Sequence, residues 1–191
     1  TLNERYLPDF EPTDEPYVYL TSHNRMADEI NLKKLAELKG KSHFYKAEII
    51  GNFNENQYPN DEILELKQGS QIMFLRNDAS GEKRYFNGKL AEVVEVDEKE
   101  ISVIIDGEDE LYTLKKETWE QKRYSLGDDK SVKEEVLGSF KQFPIRLAWA
   151  VTIHKSQGLT FDRLIIDAGK SFASGQVYVA LSRCRTLEGI V

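Results

Sequence analysis

One cysteine, three histidines and no apolar run approaching about 18 residues set the first limits on this 191-residue chain. The lone Cys184 excludes an internal disulfide and leaves no cysteine cluster for zinc, so it reads as a small packing residue. His23, His43 and His154 lack metal-ligand spacing, and no bound metal is expected. No segment is long and apolar enough to read as a membrane helix, and the acidic opening TLNERYLPDFEPTDEP is no signal peptide. The expectation is a soluble, cytoplasmic protein without a membrane partner.

A phosphate cradle of the GxxxxGK[ST] kind is also missing. GKS occurs at Gly40–Ser42 and at Gly169–Ser171, but the glycine needed five residues upstream is Leu35 in the first and Leu164 in the second. The first reads as a helix end and the second as a turn after a strand. No apolar strand closes on an Asp-Glu pair either: Gly107 follows Asp106, and Ala168 follows Asp167. A chain that handled ATP alone should carry both features.

Positive charge is scarce overall, with 26 Lys and Arg against 33 Asp and Glu. A net charge of −7 argues against nucleic acid, because phosphate contacts are made by Lys and Arg. Distribution changes that reading. Residues 141–191 hold seven Lys and Arg against three Asp and Glu, so the positive charge gathers near the C-terminal end.

Residues 1–16 carry Pro8, Pro12 and Pro16 among acidic residues and read as extended, poorly packed linker. YVYLT (17–21) is β-prone. A helix is expected from about Arg25 to Lys39, capped by Ser22 or Asn24 and ended by Gly40, with Met26, Ala27, Ile30, Leu35 and Leu38 on one broad face. FYKAEII is β-prone, and QIMFLR (71–76), KLAEVVEV (89–96), ISVIID (101–106) and ELYTLKK (110–116) are short strands whose even spacing points to a small barrel or meander. Residues 117–140 are charged and partly helix-compatible. LAWAVTI is ambiguous, with a helix or turn beginning before His154 favoured. RLIID (163–167) is a buried strand, SGQVYVALSR a helix opened by Ser174 or Gly175, and GIV the start of another strand or a cut end.

Within LAWAVTIHKSQGLTF (147–161), an apolar run breaks into His154, Lys155, Ser156, Gln157 and Gly158. These offer a cation, hydrogen-bonding groups and a free backbone to an anionic ligand. A second apolar run, in QVYVALSRCR (176–185), carries Arg183 and Arg185. Two polar clusters on adjacent core elements suggest one binding surface.

Through Ala148, Trp149, Ala150, Thr152, Ile153, His154, Lys155, Ser156, Gln157 and Gly158, then Gly175, Gln176, Tyr178, Val179, Ala180, Leu181, Ser182 and Arg183, the two segments resemble motifs V and VI of superfamily 1 DNA helicases, in the RecD-like and Pif-type branch. LKQGSQIMFLRND and FNGKLAEVVEV resemble the start of that branch's inserted barrel. The resemblance implies an α/β fold: a RecA-like, P-loop-NTPase-type parallel sheet lacking its own P-loop, with a small SH3-like β-barrel inserted. It makes residues 1–16 a linker from a missing upstream motor domain, 17–66 and 141–191 the second RecA-like motor domain, and 67–140 the barrel with its return segment.

The same resemblance assigns the arginine-finger role to Arg183, the nucleotide edge to Gln157 and Gly158, and DNA contact to Thr152, His154, Lys155 and Ser156. Thr21 and Asn24 match a TxxN motif that touches the DNA backbone, with Asn31 following in the helix. Thr160 stands where many superfamily 1 helicases hold the ribose with Glu, which leaves the sugar contact unassigned. Arg185 falls on a different helical face and serves as a control. ATP with Mg²⁺ is implied for the full-length parent, with the Mg²⁺ ligands on the missing domain and no cofactor on the isolated fragment. The implied partners are single-stranded DNA and the missing N-terminal RecA-like domain, with the fragment monomeric and movement 5′ to 3′. Alone, the fragment should neither hydrolyse ATP nor unwind DNA. The competing reading is a non-catalytic single-stranded-DNA-binding or protein-docking module. A merely structural domain with degenerate motifs is opposed by the intact Lys155, Gln157 and Arg183.

Overall fold

The computed structural model of the chain describes residues 1–8, 10–12, 15–126, 131–167 and 175–191. In chain order the elements are β1 (Val18–Thr21), α1 (Asn24–Glu37), β2 (His43–Lys46), β3 (Glu48–Gly51), β4 (Ile63–Leu66), β5 (Gln71–Phe74), β6 (Leu90–Val96), β7 (Ile101–Ile105), β8 (Leu111–Thr113), β9 (Glu117–Leu126), β10 (Val132–Gln142), β11 (Ile145–Leu147), β12 (Ala150–Thr152), β13 (Leu164–Ile166) and α2 (Gln176–Leu181), with short 3-10 turns at Leu2–Arg5 and Glu55–Gln57. Parallel and antiparallel sheets with packed helices make this a mixed α/β domain.

In the parallel sheet β1 lies between β12 and β13, with Tyr19 opposite both Ala150 and Ile165. Its core gathers Val18, Leu20, Val151, Ile153, Leu164 and Ala180. LAWAVTI is therefore extended over Ala150–Thr152 and turns from Ile153, so of the helix or turn expected before His154 it is the turn that forms. The alanines tolerate either state, and pairing with β1 decides between them.

Helix α1 starts one residue earlier and stops two residues sooner than expected. Neither Ser22 nor Asn24 caps it. His23 occupies the cap position without a side-chain bond, and the Ser22 hydroxyl instead meets His23 Nδ1 at 2.7 Å. Leu38 turns extended, and Gly40, with φ of +107°, follows two residues later. The buried face is narrower than the pattern implied: Ala27 and Leu35 are inside, while Met26 is exposed.

The four expected short strands all form, slightly trimmed, in an antiparallel sheet of order β11-β5-β6-β7-β8. Alternation along β5 sends Ile72 and Phe74 into one core and Met73 into the other, which explains an apolar run without polar breaks. Phe74 stacks on Tyr85 at 3.8 Å between centroids, beside Val93, Ile101, Val103 and Ile105. Tyr45, Leu64, Leu66, Phe143 and Ile145 belong to the same cluster, so positions 67 and 140 cut through one core. Gln71 joins the two sheets. Its backbone carbonyl accepts from Ala148 N–H at 3.0 Å, and its carboxamide donates to the carbonyls of Tyr17 and Ala148 at 2.9 and 2.8 Å.

The return segment contradicts the helix-compatible reading of residues 117–140. It is a long antiparallel hairpin, β9 with β10, whose other edge β10 lends to β3. Phe140 is fully buried against Trp119, Phe53 and Tyr58, and Lys122 reaches Glu134 across the pair at 2.5 Å. Those cross-strand contacts outweigh a charged composition that would also suit a helix.

Parts of the N-terminal stretch are better anchored than its composition suggests. Phe10 packs edge-on to Tyr17 at 5.0 Å, and Glu15 pairs with Arg163 at 2.6 Å. At the other end Ile190 bridges in parallel to Leu164. The GKS at 169–171 and the helix-opening Ser174 lie outside the described residues.

Candidate functional site

The site grows from the ends of two neighbouring strands. Because β1 and β12 are parallel and in register, Thr21 and Thr152 finish side by side, and the amide of Ile153 still donates to the Thr21 carbonyl at 2.9 Å. Beyond them the chain closes on itself. Ser156 N–H donates to Thr152 carbonyl at 2.9 Å, Gln157 N–H to His154 carbonyl at 3.3 Å, and Leu159 N–H to Ser156 carbonyl at 3.0 Å.

This turn sorts the polar cluster into two groups. Thr152 and Ser156 are buried: the Thr152 hydroxyl accepts from Lys155 N–H at 3.3 Å, and that of Ser156 donates to the Ile153 carbonyl at 2.8 Å. Thr21 is buried too, its hydroxyl lying 3.2 Å from the His23 carbonyl. The hydroxyls of these three residues, expected to face a nucleic acid strand, are thus bonded to backbone groups of the protein. His154, Lys155 and Gln157 are exposed on it, and Asn24 is exposed in the first turn of α1 nearby. Gly158 adopts φ of +79°, which a residue with a Cβ seldom does, with open space where that Cβ would stand.

Arg183 joins the second cluster to the first. It follows α2, which opens at Gly175 rather than on a side-chain cap. Its guanidinium donates to the Leu159 carbonyl at 3.3 Å, one residue beyond Gly158, and is steadied by the Val179 carbonyl at 3.3 Å and the Ser182 hydroxyl at 3.0 Å. Among the described residues no carboxylate pairs with it, so its charge stays available to an anion. Arg185 points elsewhere, onto Asp162 at 2.9 Å. Cys184 packs against the parallel-sheet core, and burial raises its thiol above the usual range.

Two further residues shape the site: Asn31, which the sequence named without a role, and Arg146, which it did not single out. The Asn31 carboxamide holds both backbone groups of Ala150, and Arg146 lines a cleft of about 370 Å³ with Asn31, Asp28, Asp61, Thr152 and Lys155. Burial pulls the Arg146 guanidinium below the usual arginine range, against the opposing pull of Asp61 and Asp28, and its Nε has no partner among the described residues. A charged residue inside the apolar run IRLAWAV was the available signal. Among the described residues no three His, Cys, Asp or Glu side chains converge as a metal site.

No protein-family model matches the chain. It is similar to the ATP-dependent DNA helicase PIF1 of Xenopus laevis, 34% identical over 181 residues that cover 90% of this chain and 26% of that protein. Among solved structures it is similar to a Bacteroides Pif1 in complex with ADP-AlF4, at 42% identity and a TM-score of 0.84 over 93% of this chain and 40% of that one. It is also similar to a Bacteroides Pif1 bound to ssDNA, at 40% identity and a TM-score of 0.75 over all of this chain and 43% of that one. The chain thus spans well under half the length of these relatives.

Proposed function

The homologues of this chain are Pif1 helicases, and from that premise we propose that it is a Pif-type helicase domain, the second of two RecA-like motor domains in an ATP-dependent DNA helicase. The observation that carries the reading is the meeting of the two clusters: Arg183, without a carboxylate partner among the described residues, is held against Leu159 beside the open backbone of Gly158. An arginine so placed stays charged and can fork onto phosphate oxygens. The antiparallel sheet corresponds to the SH3-like insertion on this reading, with limits that include β2, β4 and β11.

The residues fit a polyphosphate at the domain's edge. ATP, bound with Mg²⁺ largely on the preceding motor domain, would supply a transferable γ-phosphoryl group whose charge grows in the transition state. Arg183 stabilises that charge, and Gly158 and Gln157 form the near wall. On the adjoining face Lys155 neutralises a phosphate of single-stranded DNA, with His154 and Asn24 beside it. Thr21, Thr152 and Ser156 act by shaping the turn. Because Lys155 and Gln157 flank Ser156 on one closed turn, movement at the nucleotide edge is felt at the DNA face, and cleft closure becomes a step along the strand.

The test is DNA-stimulated ATP hydrolysis by the full-length protein. Arg183→Ala should lower kcat by roughly 10³-fold or more, and Arg185→Ala should change it little. Equal, small effects would reject the finger and favour a non-catalytic DNA-binding module. Movement 5′ to 3′ is part of the proposal, and unwinding of duplexes that carry only a 3′ single-stranded tail would reject it.

A further inference from the structure

Arg5 lies far from both polar clusters in sequence and matches no motif, yet it is placed where it can act on one of them. Its Nε donates to the Ile190 carbonyl at 2.7 Å and its Nη2 to the Glu188 carbonyl at 2.6 Å. A guanidinium that forks onto two carbonyls two residues apart fixes the direction of that backbone as well as its position.

The backbone it grips is the tail of the Arg183 segment. Residues 183–191 run as a strap along residues 161–166, held by Phe161 N–H on the Arg183 carbonyl at 2.8 Å, Arg185 N–H on the Phe161 carbonyl at 2.9 Å, Leu164 N–H on the Gly189 carbonyl at 2.8 Å and Val191 N–H on the Leu164 carbonyl at 2.9 Å. The fit is tight enough that a Cβ on Gly189 would stand 1.9 Å from the Asp162 carbonyl oxygen. The strap is held to residues 161–166 at Arg183, Arg185, Gly189 and Val191, with Arg185–Glu188 exposed, so the backbone that Arg5 grips at Glu188 and Ile190 leads back to Arg183 through only a few residues. Farther along the same N-terminal stretch, Glu15 pairs with Arg163 at the foot of β13. The N-terminal stretch therefore grips both strands of the unit that carries Arg183.

We propose that Arg5 is a positioning residue for Arg183: it ties the segment entering this domain to the arginine strap and sets the finger's reach toward the phosphate. The inference rests on the two-domain motor proposed above, in which residues 1–16 come from the preceding domain. Arg5 touches neither nucleotide nor DNA.

The experiment is a double-mutant cycle in the full-length protein, following DNA-stimulated ATP hydrolysis with Arg5→Ala, Arg183→Ala, both together, and Arg5→Lys. Misplacing a catalytic group by about 1 Å costs up to roughly a hundredfold, so Arg5→Ala should lower kcat by about ten- to a hundredfold, with KM for ATP and the thermal midpoint near their original values. The double variant should be no slower than Arg183→Ala alone, and Arg5→Lys should recover little, since an ammonium cannot fork. Three outcomes overturn the inference: losses that multiply in the double variant, an Arg5→Ala effect confined to the thermal midpoint with the rate per folded molecule unchanged, or full recovery with lysine. Should Arg5→Ala leave too little folded protein, Arg5→Lys carries the cycle alone. Arg183→Ala measured singly tests the finger, so its failure is told apart from failure of Arg5.

Discussion

The carboxamide of Asn31 accepts from the Ala150 N–H and donates to the Ala150 carbonyl, both at 2.9 Å. Pairing with β1 uses the other side of β12, where Tyr19 N–H donates to the Trp149 carbonyl. Asn31 thus plays the part of an adjacent strand at one residue, and it fixes α1 against the strand that leads into the Thr152–Gly158 turn. Removing it leaves two largely buried backbone groups without partners, at a cost of roughly 1–3 kcal/mol. Asn31→Ala should lower the urea midpoint accordingly. Asn31→Asp should not restore it, because a carboxylate oxygen then faces the Ala150 carbonyl. An Asn31→Ala protein that unfolds at the original midpoint would show that the edge is satisfied some other way.

Two glycines should respond to alanine for different reasons. At Gly189 the new Cβ meets backbone at 1.9 Å, so the strap must separate from residues 161–166, at roughly 1–3 kcal/mol or more. At Gly158 the space is open and only the left-handed backbone is strained, at about 1 kcal/mol. Thermal unfolding of the two variants should rank Gly189→Ala well below Gly158→Ala. The reverse order would mean that the strap is not packed as described.

Alkaline pH offers a separate check on the antiparallel core. Tyr45 is buried with its hydroxyl donating to the Asp97 carbonyl, and burial, reinforced by the Asp97 carboxylate, pushes its phenol from 10.0 up to about 12. Burial raises Tyr85 as well. The folded state then keeps protons that the unfolded chain releases, so stability is level below about pH 10 and falls as pH rises toward about 12. The denaturant midpoint should drop across that interval, and Tyr45→Phe should flatten part of the fall. A midpoint insensitive to pH over the same range would rule out a buried Tyr45 phenol.

Strand positions were legible where alternation and turn residues were both clear, as in β5 to β8. The β9–β10 hairpin was not, because its exposed charges alternate with few apolar residues and its stability comes from Trp119, Phe140 and Phe53, partners brought together by the fold. LAWAVTI was ambiguous for a related reason: its alternation and the turn before His154 were visible, but Ala148 and Ala150 carry no preference strong enough to announce a strand whose edge is closed by Asn31. At the site, residue types revealed the cluster but not its orientation. The resemblance gave Thr152 and Ser156 to the DNA strand, and their burial follows from turn hydrogen bonds that spacing alone does not disclose. The grip of Arg5 on Glu188 and Ile190 spans most of the chain, and no local pattern could reveal it.

Lys155 and Ser156 are neighbours that should separate cleanly in a salt titration. Lys155 is exposed and cationic, while Ser156 is buried and donates to the Ile153 carbonyl. If Lys155 neutralises one phosphate of a single strand, replacing it with Ala releases one fewer counterion and lowers the slope of log Kd against log salt by about 0.7. Ser156→Ala removes no charge. It leaves the Ile153 carbonyl short of a partner, so its cost is about 1 kcal/mol of stability with the slope unchanged. Single-stranded DNA binding by the full-length protein at several salt concentrations, beside the thermal midpoints, distinguishes the two. Identical slopes in Lys155→Ala and the parent protein would take Lys155 off the strand. A reduced slope in Ser156→Ala would mean that without the Ser156 bond the turn no longer presents Lys155 to the phosphate.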